Sequence, residues 1–315
     1  MATQTQAQAQ AQTQAPARLG GQTGAAPASL WQARRLPLVR WVAKSWLYAL
    51  VLLLAAVYVL PFLWMVSLSL KPVQELDQIP PRLLPIQYAW GNYPSALLQP
   101  TRYFPLFFYN TIVYVGLAVL GKLISCTLVA YAFARIPFKG RAFLFPLVLS
   151  TLMLPDQVLL IPQFLLFKQL NWLDSFKPLI IPNFFGSAFF IFLLRQFFMT
   201  IPRELDEAAV MDGANHFDIY SRILLPLSSP ILITVFALSF VAHWNDFFGP
   251  LIYINSRAKF VVAMALRLFI VPAQQLPVNE LMAASVATLI PVVLVFLVCQ
   301  RYIMRGVIMT GLREG

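Results

Sequence analysis

The charged residues with possible catalytic or binding roles are concentrated in one polar interval, residues 204–226, within an otherwise apolar second half of the chain. Five of the twelve acidic residues lie within it: Glu204, Asp206, Glu207, Asp212 and Asp218. Nowhere in the sequence do paired carboxylates or a nucleophile with a neighbouring base occur. We therefore expect no catalytic residues, and the interval predicts a polar, solvent-facing element.

The interval predicts two short helices joined at a glycine. Pro202 suits the first turn of a helix, where no amide hydrogen is needed, and acids are favoured at that end of a helix. Gly213 predicts the end of the first helix, because glycine readily takes the left-handed conformation that closes helices. Asn215 and Asp218 have the spacing of a cap and its partner acid, which predicts the second helix. Pro226 predicts a bend into the next apolar run.

The spacing within this interval is similar to that of the EAA loop of ABC-importer permeases. Glu-Ala-Ala at residues 207–209 is followed after three residues by glycine and after nine more by Ile-Leu-Leu-Pro. In that family the loop forms a cytoplasmic coupling helix, which docks into a cleft on an ATP-binding subunit. A solvated connector between two helices is the alternative, but it would not explain the full spacing. The matching positions are Glu207, Ala208, Ala209, Gly213, Ile223 and Pro226.

The resemblance implies a role for four of these positions. Glu207 would pair with a basic residue of the ATPase, Ala208 and Ala209 would allow close approach, and Gly213 would permit the turn. No ATP site is expected in the chain itself. Residues 116–122 fit most of a phosphate-binding loop, but a leucine follows where the Ser or Thr that holds Mg²⁺ should stand.

Polar residues inside the apolar runs are candidates for a substrate pathway. The ring of Trp244 could stack on the apolar face of a sugar, while Asn245 and Asp246 could bond its hydroxyl groups. Hydrogen bonds that only shape the helix bundle are the alternative. Asn110 is a similar, weaker candidate. Asp156 lies among prolines that break a helix, as at transporter binding sites, unless it is simply solvated at the outer membrane face.

Lys122 is costly within a bilayer, so we expect it to face the bundle interior or to reach the membrane surface. A structural role and a pathway role are both open for it. The two cysteines and two histidines have no neighbours at metal-ligand spacing, which predicts structural roles and no bound metal or cofactor.

Composition places the chain in a membrane. Hydrophobic residues make up 59% and charged residues only 11%, against about 25% charged in soluble domains. The net charge of +11 does not predict nucleic-acid binding, because the basic residues lie at the ends of apolar runs rather than in one stripe. Charges at the ends of apolar runs are typical of topology determinants.

Six membrane spans are predicted, and the first is long enough to cross a core of roughly 30 Å even when tilted. Pro61 should kink the first span, and prolines interrupt the third. Residues 1–29 predict a disordered tail, and residues 30–315 predict one transmembrane domain. The spans cover about 46–70, 106–134, 143–167, 178–199, 227–254 and 281–300, with the polar loop at 201–226.

The basic residues predict the orientation of these spans. Under this topology 14 Lys and Arg lie on the side of the two termini and eight on the opposite side, with Lys122 within a span. Basic residues favour the cytoplasmic side. Both termini and the 201–226 loop are therefore expected in the cytoplasm.

The resemblance extends from about Trp46 to Gly315. Segments 65–71, 130–141, 153–167, 244–253 and 300–306 are similar, in that order, to carbohydrate-importer permeases of the maltose-permease type, in particular to the smaller of two unlike subunits. The likeness implies an all-α, six-span, type I importer fold in a prokaryotic cell membrane. It also implies a second permease, two cytoplasmic ATPase subunits that hydrolyse the ATP, an extracytoplasmic sugar-binding protein and transport by alternating access.

Other functions remain open at this point. The same loop would serve an importer of a phosphorylated polyol or another small polar solute. A membrane enzyme or receptor would need catalytic residues or a folded soluble domain, and a channel would leave the loop spacing without a purpose.

Overall fold

The structure is a computed structural model that describes residues 37–99, 103–269 and 277–311. The chain divides into two units, residues 1–60 and residues 61–315. Of the first unit the structure describes residues 37–60, which belong to helix α1. The tail predicted for residues 1–29 lies outside the described residues.

Regular structure in the described ranges is entirely helical. A π-helical segment, Ile219–Leu224, joins α9 to α10. Pro61 lies inside α1. The helices are α1 (Pro37–Ser69), α2 (Asn92–Leu98), α3 (Phe104–Arg135), α4 (Arg141–Ser150), α5 (Asp156–Gln169), α6 (Lys177–Ile180), α7 (Ala188–Thr200), α8 (Glu204–Met211), α9 (His216–Asp218), α10 (Leu225–Leu227), α11 (Ser229–Trp244), α12 (Phe248–Tyr253), α13 (Val262–Ala265) and α14 (Val278–Gly311).

Four helical stretches among the described residues are long and apolar enough to cross a membrane, and two bent pairs raise the number to as many as six. Proline accounts for both bends, because it cannot donate to the preceding turn: Pro155 precedes α5, and Pro226 lies in α10. The four are Ser45–Ser69, Phe104–Arg135, Lys177–Phe198 and Val278–Tyr302; the pairs are Arg141–Met153 with Gln157–Gln169, bent by 99°, and His216–Leu227 with Ser229–Trp244, bent by 77°.

Helix α3 is the centre of the bundle formed by residues 61–315, and it packs against both α7 and α11. Its buried face carries small residues, including Ala118, Gly121 and Ala130. A β-carbon at Gly121 would lie only 2.5 Å from the ring of Phe184. Small side chains let helices approach closely within a membrane, where van der Waals packing holds them together.

Side-chain hydrogen bonds organise the connection between α1 and α2. The buried Lys71 donates to the carbonyl of Arg82 at 2.5 Å. The amide of Asn92 donates to the carbonyls of Ser69 and Lys71, both at 2.9 Å. Asn279 of α14 also donates to the Lys71 carbonyl, at 3.0 Å. This connection is therefore a folded segment attached to the last helix.

A second link joins the connector between α5 and α6 to the segment that follows α12. Asp174 accepts hydrogen bonds from the amides of Asn255 and Ser256 and from the Ser256 hydroxyl. Its Oδ2 also lies 2.8 Å from Nζ of Lys259. The Lys259 ammonium and the Ser256 donors hold the pKa of the Asp174 carboxyl well below its usual range.

Candidate functional site

The 204–226 element has the local structure that its sequence predicts. Helix α8 begins at Glu204 and carries the expected acids in its first turn. Gly213 follows with φ +85°. Oδ1 of Asn215 accepts from the amides of Phe217 at 2.8 Å and Asp218 at 3.0 Å, and the Asp218 carboxylate accepts in return from the Asn215 amide. The helix–glycine–helix prediction and the cap are confirmed.

Of the two predictions made for prolines next to this element, the one for Pro202 was wrong and the one for Pro226 is confirmed. Pro202 lies two residues before the first residue of α8, and Arg203 holds the N-cap position. The prediction that Pro202 belongs to the first helical turn was therefore wrong by a short margin. Pro226 does bend the chain, because the helical run His216–Leu227 meets α11 at 77°. The π-helical segment Ile219–Leu224 immediately before it is a second feature that can bend a helix.

The outer face of α8 and α9 mixes an acid with apolar side chains. Glu207 and Ala208 are exposed, whereas Ala209 is buried against the bundle. Met211 is 87% exposed and Phe217 is 69% exposed. Apolar side chains presented together at a surface are typical of a docking site. Ile223, by contrast, packs against the bundle core.

Arg135 connects this element to the bundle. Its Nη2 donates to the carbonyls of Phe198 at 2.8 Å and Ile201 at 2.7 Å, at the end of α7. Its Nη1 lies 3.3 Å from Oδ2 of Asp206 in α8, and the side chain is only 4% exposed. One guanidinium therefore holds together the ends of α3 and α7 and the start of α8.

Sequence reasoning used Arg135 only as a topology determinant. The available signal was its place in the last turn of an apolar helix, where a basic side chain can bond free carbonyls. What the sequence could not show is that the carbonyls belong to another helix, α7, and that the partner acid lies 71 residues away, at position 206.

A chain of polar side chains crosses the interior of the bundle between α3 and α11. Nζ of Lys122 lies 3.1 Å from Nε2 of His243, and Nδ1 of His243 lies 3.1 Å from the hydroxyl of Tyr114. That hydroxyl donates to Oδ2 of Asp246 at 2.9 Å. Because an ammonium only donates, Nε2 must accept and the N–H of Nδ1 must point to Tyr114. This arrangement requires a neutral His243.

The three consecutive pathway candidates lie in different surroundings. Trp244 is 4% exposed, stacks on Phe240 and donates from Nε1 to the Thr288 carbonyl at 3.1 Å. Asn245 is exposed and bonds the Val241 carbonyl of its own helix at 2.9 Å. Only Asp246 joins the polar chain. In this structure the Trp244 ring packs between helices, and Trp244 and Asn245 line a second cavity of about 420 Å³, which Asp246 does not line.

Two further candidates are separate from this group. Asn110 is buried and donates to the carbonyls of Ala258 at 2.8 Å and Phe260 at 3.0 Å, so its amide holds the segment after α12. Asp156 is the first residue of α5; its side chain lies outside the described part of the structure.

Asp246 faces a cavity of about 560 Å³, within the range of roughly 300–1,000 Å³ that is usual for ligand pockets. Gln157 and Gln163 lie in its wall. Sequence reasoning placed Gln157 beside Asp156 at the proline break but missed Gln163, whose signal was an amide in an otherwise apolar run. The cavity is lined by Tyr114, Gln157, Leu160, Gln163, Pro178, Leu179, His243, Asp246, Phe248, Gly249, Ile252 and Tyr253, and it is called the Asp246 cavity below.

Comparison with known proteins assigns the family. The family described as "Binding-protein-dependent transport system inner membrane component" matches residues 126–309, more than half of the chain. The chain belongs to this family. The predicted resemblance to importer permeases is confirmed, and the chain is a multi-pass membrane permease.

Relatives of this permease carry names from several transport systems. The chain is 32% identical over 256 residues to the trehalose/maltose transport system permease of Thermococcus litoralis, covering 81% of this chain and 91% of the relative. It is 36% identical over 249 residues to the sn-glycerol-3-phosphate permease of Yersinia enterocolitica, with 77% and 88% coverage. Identity to the arabinooligosaccharides permease of Bacillus subtilis is 31% over 264 residues, with 83% and 93% coverage.

A solved structure confirms the predicted all-α, type I importer fold. The permease superposes with a TM-score of 0.75 on a chain of a bacterial ABC transporter that imports the acidic polysaccharide alginate. The two chains are 26% identical, and the match covers 85% of this chain and 98% of that one.

Proposed function

We propose that this permease is one of two unlike membrane subunits of an ATP-driven carbohydrate importer. Its partners would be the second permease, two cytoplasmic ATP-binding subunits and an extracytoplasmic sugar-binding protein, in a prokaryotic cell membrane with both termini in the cytoplasm. The names of relatives that carry trehalose, maltose and arabino-oligosaccharides support a carbohydrate as substrate. The observation that carries the mechanism is the exposed 204–226 element and its attachment through Arg135.

In this proposal the exposed face of α8 docks into a cleft of the ATP-binding subunit. Glu207 offers an exposed carboxylate to a basic partner, and Ala208 leaves room for close approach. Met211 and Phe217 bury apolar surface on docking. Gly213 lets the chain turn back at once, so that both short helices meet the same partner.

Movement of the docked element would reach the spans along two routes. Arg135 links α8 directly to α3 and α7. The run through Ile223 and Pro226 continues into α11, which carries His243 near its end. Since α3 and α11 both contribute to the Asp246 cavity, ATP-driven motion of α8 would reshape the cavity. The inward-open and outward-open states of the permease would then each be stabilised by different contacts, as alternating access requires.

The proposed pathway residue is Asp246, which faces the cavity. Asn110, Trp244 and Asn245 would contribute by holding the surrounding segments, through the hydrogen bonds described above. Asp156, at the start of the helix that carries Gln157 and Gln163, stays a prediction for the pathway.

Uptake by the reconstituted complex tests the carbohydrate assignment. Proteoliposomes holding both permeases and the ATPase, supplied with the binding protein, should accumulate radiolabelled maltose, trehalose or arabinotriose only when ATP is enclosed. The second candidate substrate is a phosphorylated polyol, because one relative is named for sn-glycerol-3-phosphate. ATP-dependent uptake of that compound, with no uptake of any carbohydrate, would contradict the proposal.

A further inference from the structure

The wall of the Asp246 cavity carries a negative charge. The solutes named for the relatives include neutral sugars and a phosphorylated polyol, and a negative wall does not suit both kinds equally. The described lining of the cavity consists of twelve residues, and among them Asp246 is the one whose side chain carries a charge. His243 is neutral in the hydrogen-bond arrangement derived above. Lys122 lies beyond His243 and is not part of the lining. A solute in this cavity therefore meets a carboxylate and no cation from the described wall.

Two side-chain amides, of Gln157 and Gln163, add hydrogen-bond donors and acceptors to the wall of the cavity. Gln157 and Gln163 are exposed on the wall of the cavity. Within the described residues neither side-chain amide has a hydrogen-bond partner in the protein. Each amide can donate two hydrogen bonds and accept through its carbonyl. The rings of Phe248 and Tyr253 supply apolar surface between these groups.

The carboxylate of Asp246 is held in a defined orientation. Its Oδ2 accepts from the Tyr114 hydroxyl at 2.9 Å, and its Oδ1 accepts from the amide of Gly249 at 3.0 Å. A β-carbon at residue 249 would lie 2.7 Å from Oδ2, so glycine is what lets the carboxylate approach the backbone this closely. A carboxylate has about four acceptor positions, and the two that these donors leave can accept hydroxyl groups.

We propose that the Asp246 cavity is a substrate subsite for neutral carbohydrate that discriminates against phosphorylated and uronate-containing solutes. This inference rests on the proposed import function and specifies its substrate class. Sugar hydroxyls would donate to Asp246 and exchange hydrogen bonds with Gln157 and Gln163, while sugar C–H faces pack on the rings. Phosphate and carboxylate groups are bound by cationic or N–H donors, and next to Asp246 they meet a like charge instead.

Chemical labelling of Gln163→Cys in the assembled complex, with thiol reagents of opposite charge, measures the electrostatic potential inside the cavity. A cationic methanethiosulfonate should react at least about tenfold faster than an anionic one, after each rate is divided by the rate of the same reagent with a free thiol, because the Asp246 carboxylate attracts cations and repels anions. Adding Asp246→Asn should remove most of that difference. The two native cysteines are buried, so the complex without Gln163→Cys gives the background rate.

Substrate protection supplies the second readout, with maltose and trehalose as neutral probes and sn-glycerol-3-phosphate as the anionic probe. A neutral probe should slow labelling of Gln163→Cys, and the anionic probe should not. Ile161→Cys is the matched control on the same helix, because its exposed side chain is not part of the lining, and no probe should protect it.

Equal labelling by the two reagents, no reaction at Gln163→Cys, or protection by neither neutral probe would overturn the inference. Protection by sn-glycerol-3-phosphate as strong as that by the disaccharides would overturn it as well. These failures are distinct from failure of the proposed function. A complex that imports a carbohydrate but shows no charge preference at Gln163→Cys refutes the subsite alone.

Discussion

Gly213 is a position where the backbone rather than packing determines the residue. Its φ of +85° lies in the left-handed region, and a β-carbon there would meet nothing within 4 Å. The left-handed conformation costs most residues roughly 1–2 kcal/mol, whereas asparagine tolerates it better. The turn between α8 and α9 should therefore accept asparagine and resist β-branched side chains.

We predict that Gly213→Val lowers the unfolding free energy of the permease by about 1–2 kcal/mol or more, and that Gly213→Asn has a clearly smaller effect. Thermal unfolding of the purified complex measures both. Gly116→Ala is the matched control: it also has free space around it but lies inside α3, where alanine is favoured over glycine by about 0.5–1 kcal/mol. Equal effects of valine and asparagine at residue 213 would contradict the backbone explanation.

Residue roles that depend on local spacing could be predicted, and those that depend on distant contacts could not. Asn215 and Asp218 form their cap within four residues, so the sequence sufficed. Trp244, Asn245 and Asp246 were grouped because they are adjacent. Helix α11 ends at Trp244, so the following residues turn in different directions, and only Asp246 reaches the cavity. Tyr114 stands 132 residues from its partner Asp246, and no local signal reveals such a pair.

At the scale of elements, the ion pair between Arg135 and Asp206 should hold α8 in place. We predict that Arg135→Gln destabilises the complex by about 3–5 kcal/mol, because it leaves a largely buried acid without its partner. Arg222→Gln is the matched control. It breaks an exposed pair with Asp218 in which Arg222 is 81% exposed, and such helical pairs contribute about 0.3–0.5 kcal/mol.

The role of the Arg135–Asp206 ion pair can also be tested through the coupling between sugar transport and ATP hydrolysis. Replacing both partners, Arg135→Leu with Asp206→Leu, should restore part of the stability, because no isolated charge remains. It should not restore sugar-stimulated ATP hydrolysis, because α8 would no longer be tied to α3 and α7. If the double variant regains stability and coupling together, the ion pair has no part in transmission.

The link between Asp174 and the segment after α12 predicts a pH dependence. Its donors lower the pKa of the carboxyl in the folded state, so its contribution is present above the unfolded pKa of about 3.9 and is lost as the pH falls through the lower folded value. The Tm of wild type should exceed that of Asp174→Asn at pH 7, and the gap should narrow progressively as the pH falls below about 4. Asparagine suits the test because it also tolerates the backbone φ of +52°. A gap that is constant with pH would contradict this account.

At the scale of the whole molecule, composition and apolar runs predicted an all-α membrane protein, because a lipid environment leaves few other ways to satisfy the backbone. The prolines in the third run predicted its interruption, and the structure has a 99° bend there between Arg141–Met153 and Gln157–Gln169. Which helices pack against α3 could not be predicted, because apolar side chains on several helices are nearly interchangeable in hydropathy. The Asp246 cavity follows from that packing, and for this reason it became visible only in the structure.

The central claim is that the 204–226 element transmits the energy of ATP hydrolysis to the spans. The most direct measurement is the ratio of sugar transported to ATP hydrolysed in proteoliposomes, for wild type, Glu207→Ala and Glu204→Ala. Glu204 is the matched control, since it is an exposed acid in the same helical turn but lies outside the spaced motif. We predict that Glu207→Ala lowers this ratio at least about tenfold, because it removes one partner of the docked charge pair, and that the ratio for Glu204→Ala stays close to that of wild type. Unchanged coupling in Glu207→Ala, with the complex intact in the membrane, would contradict the claim.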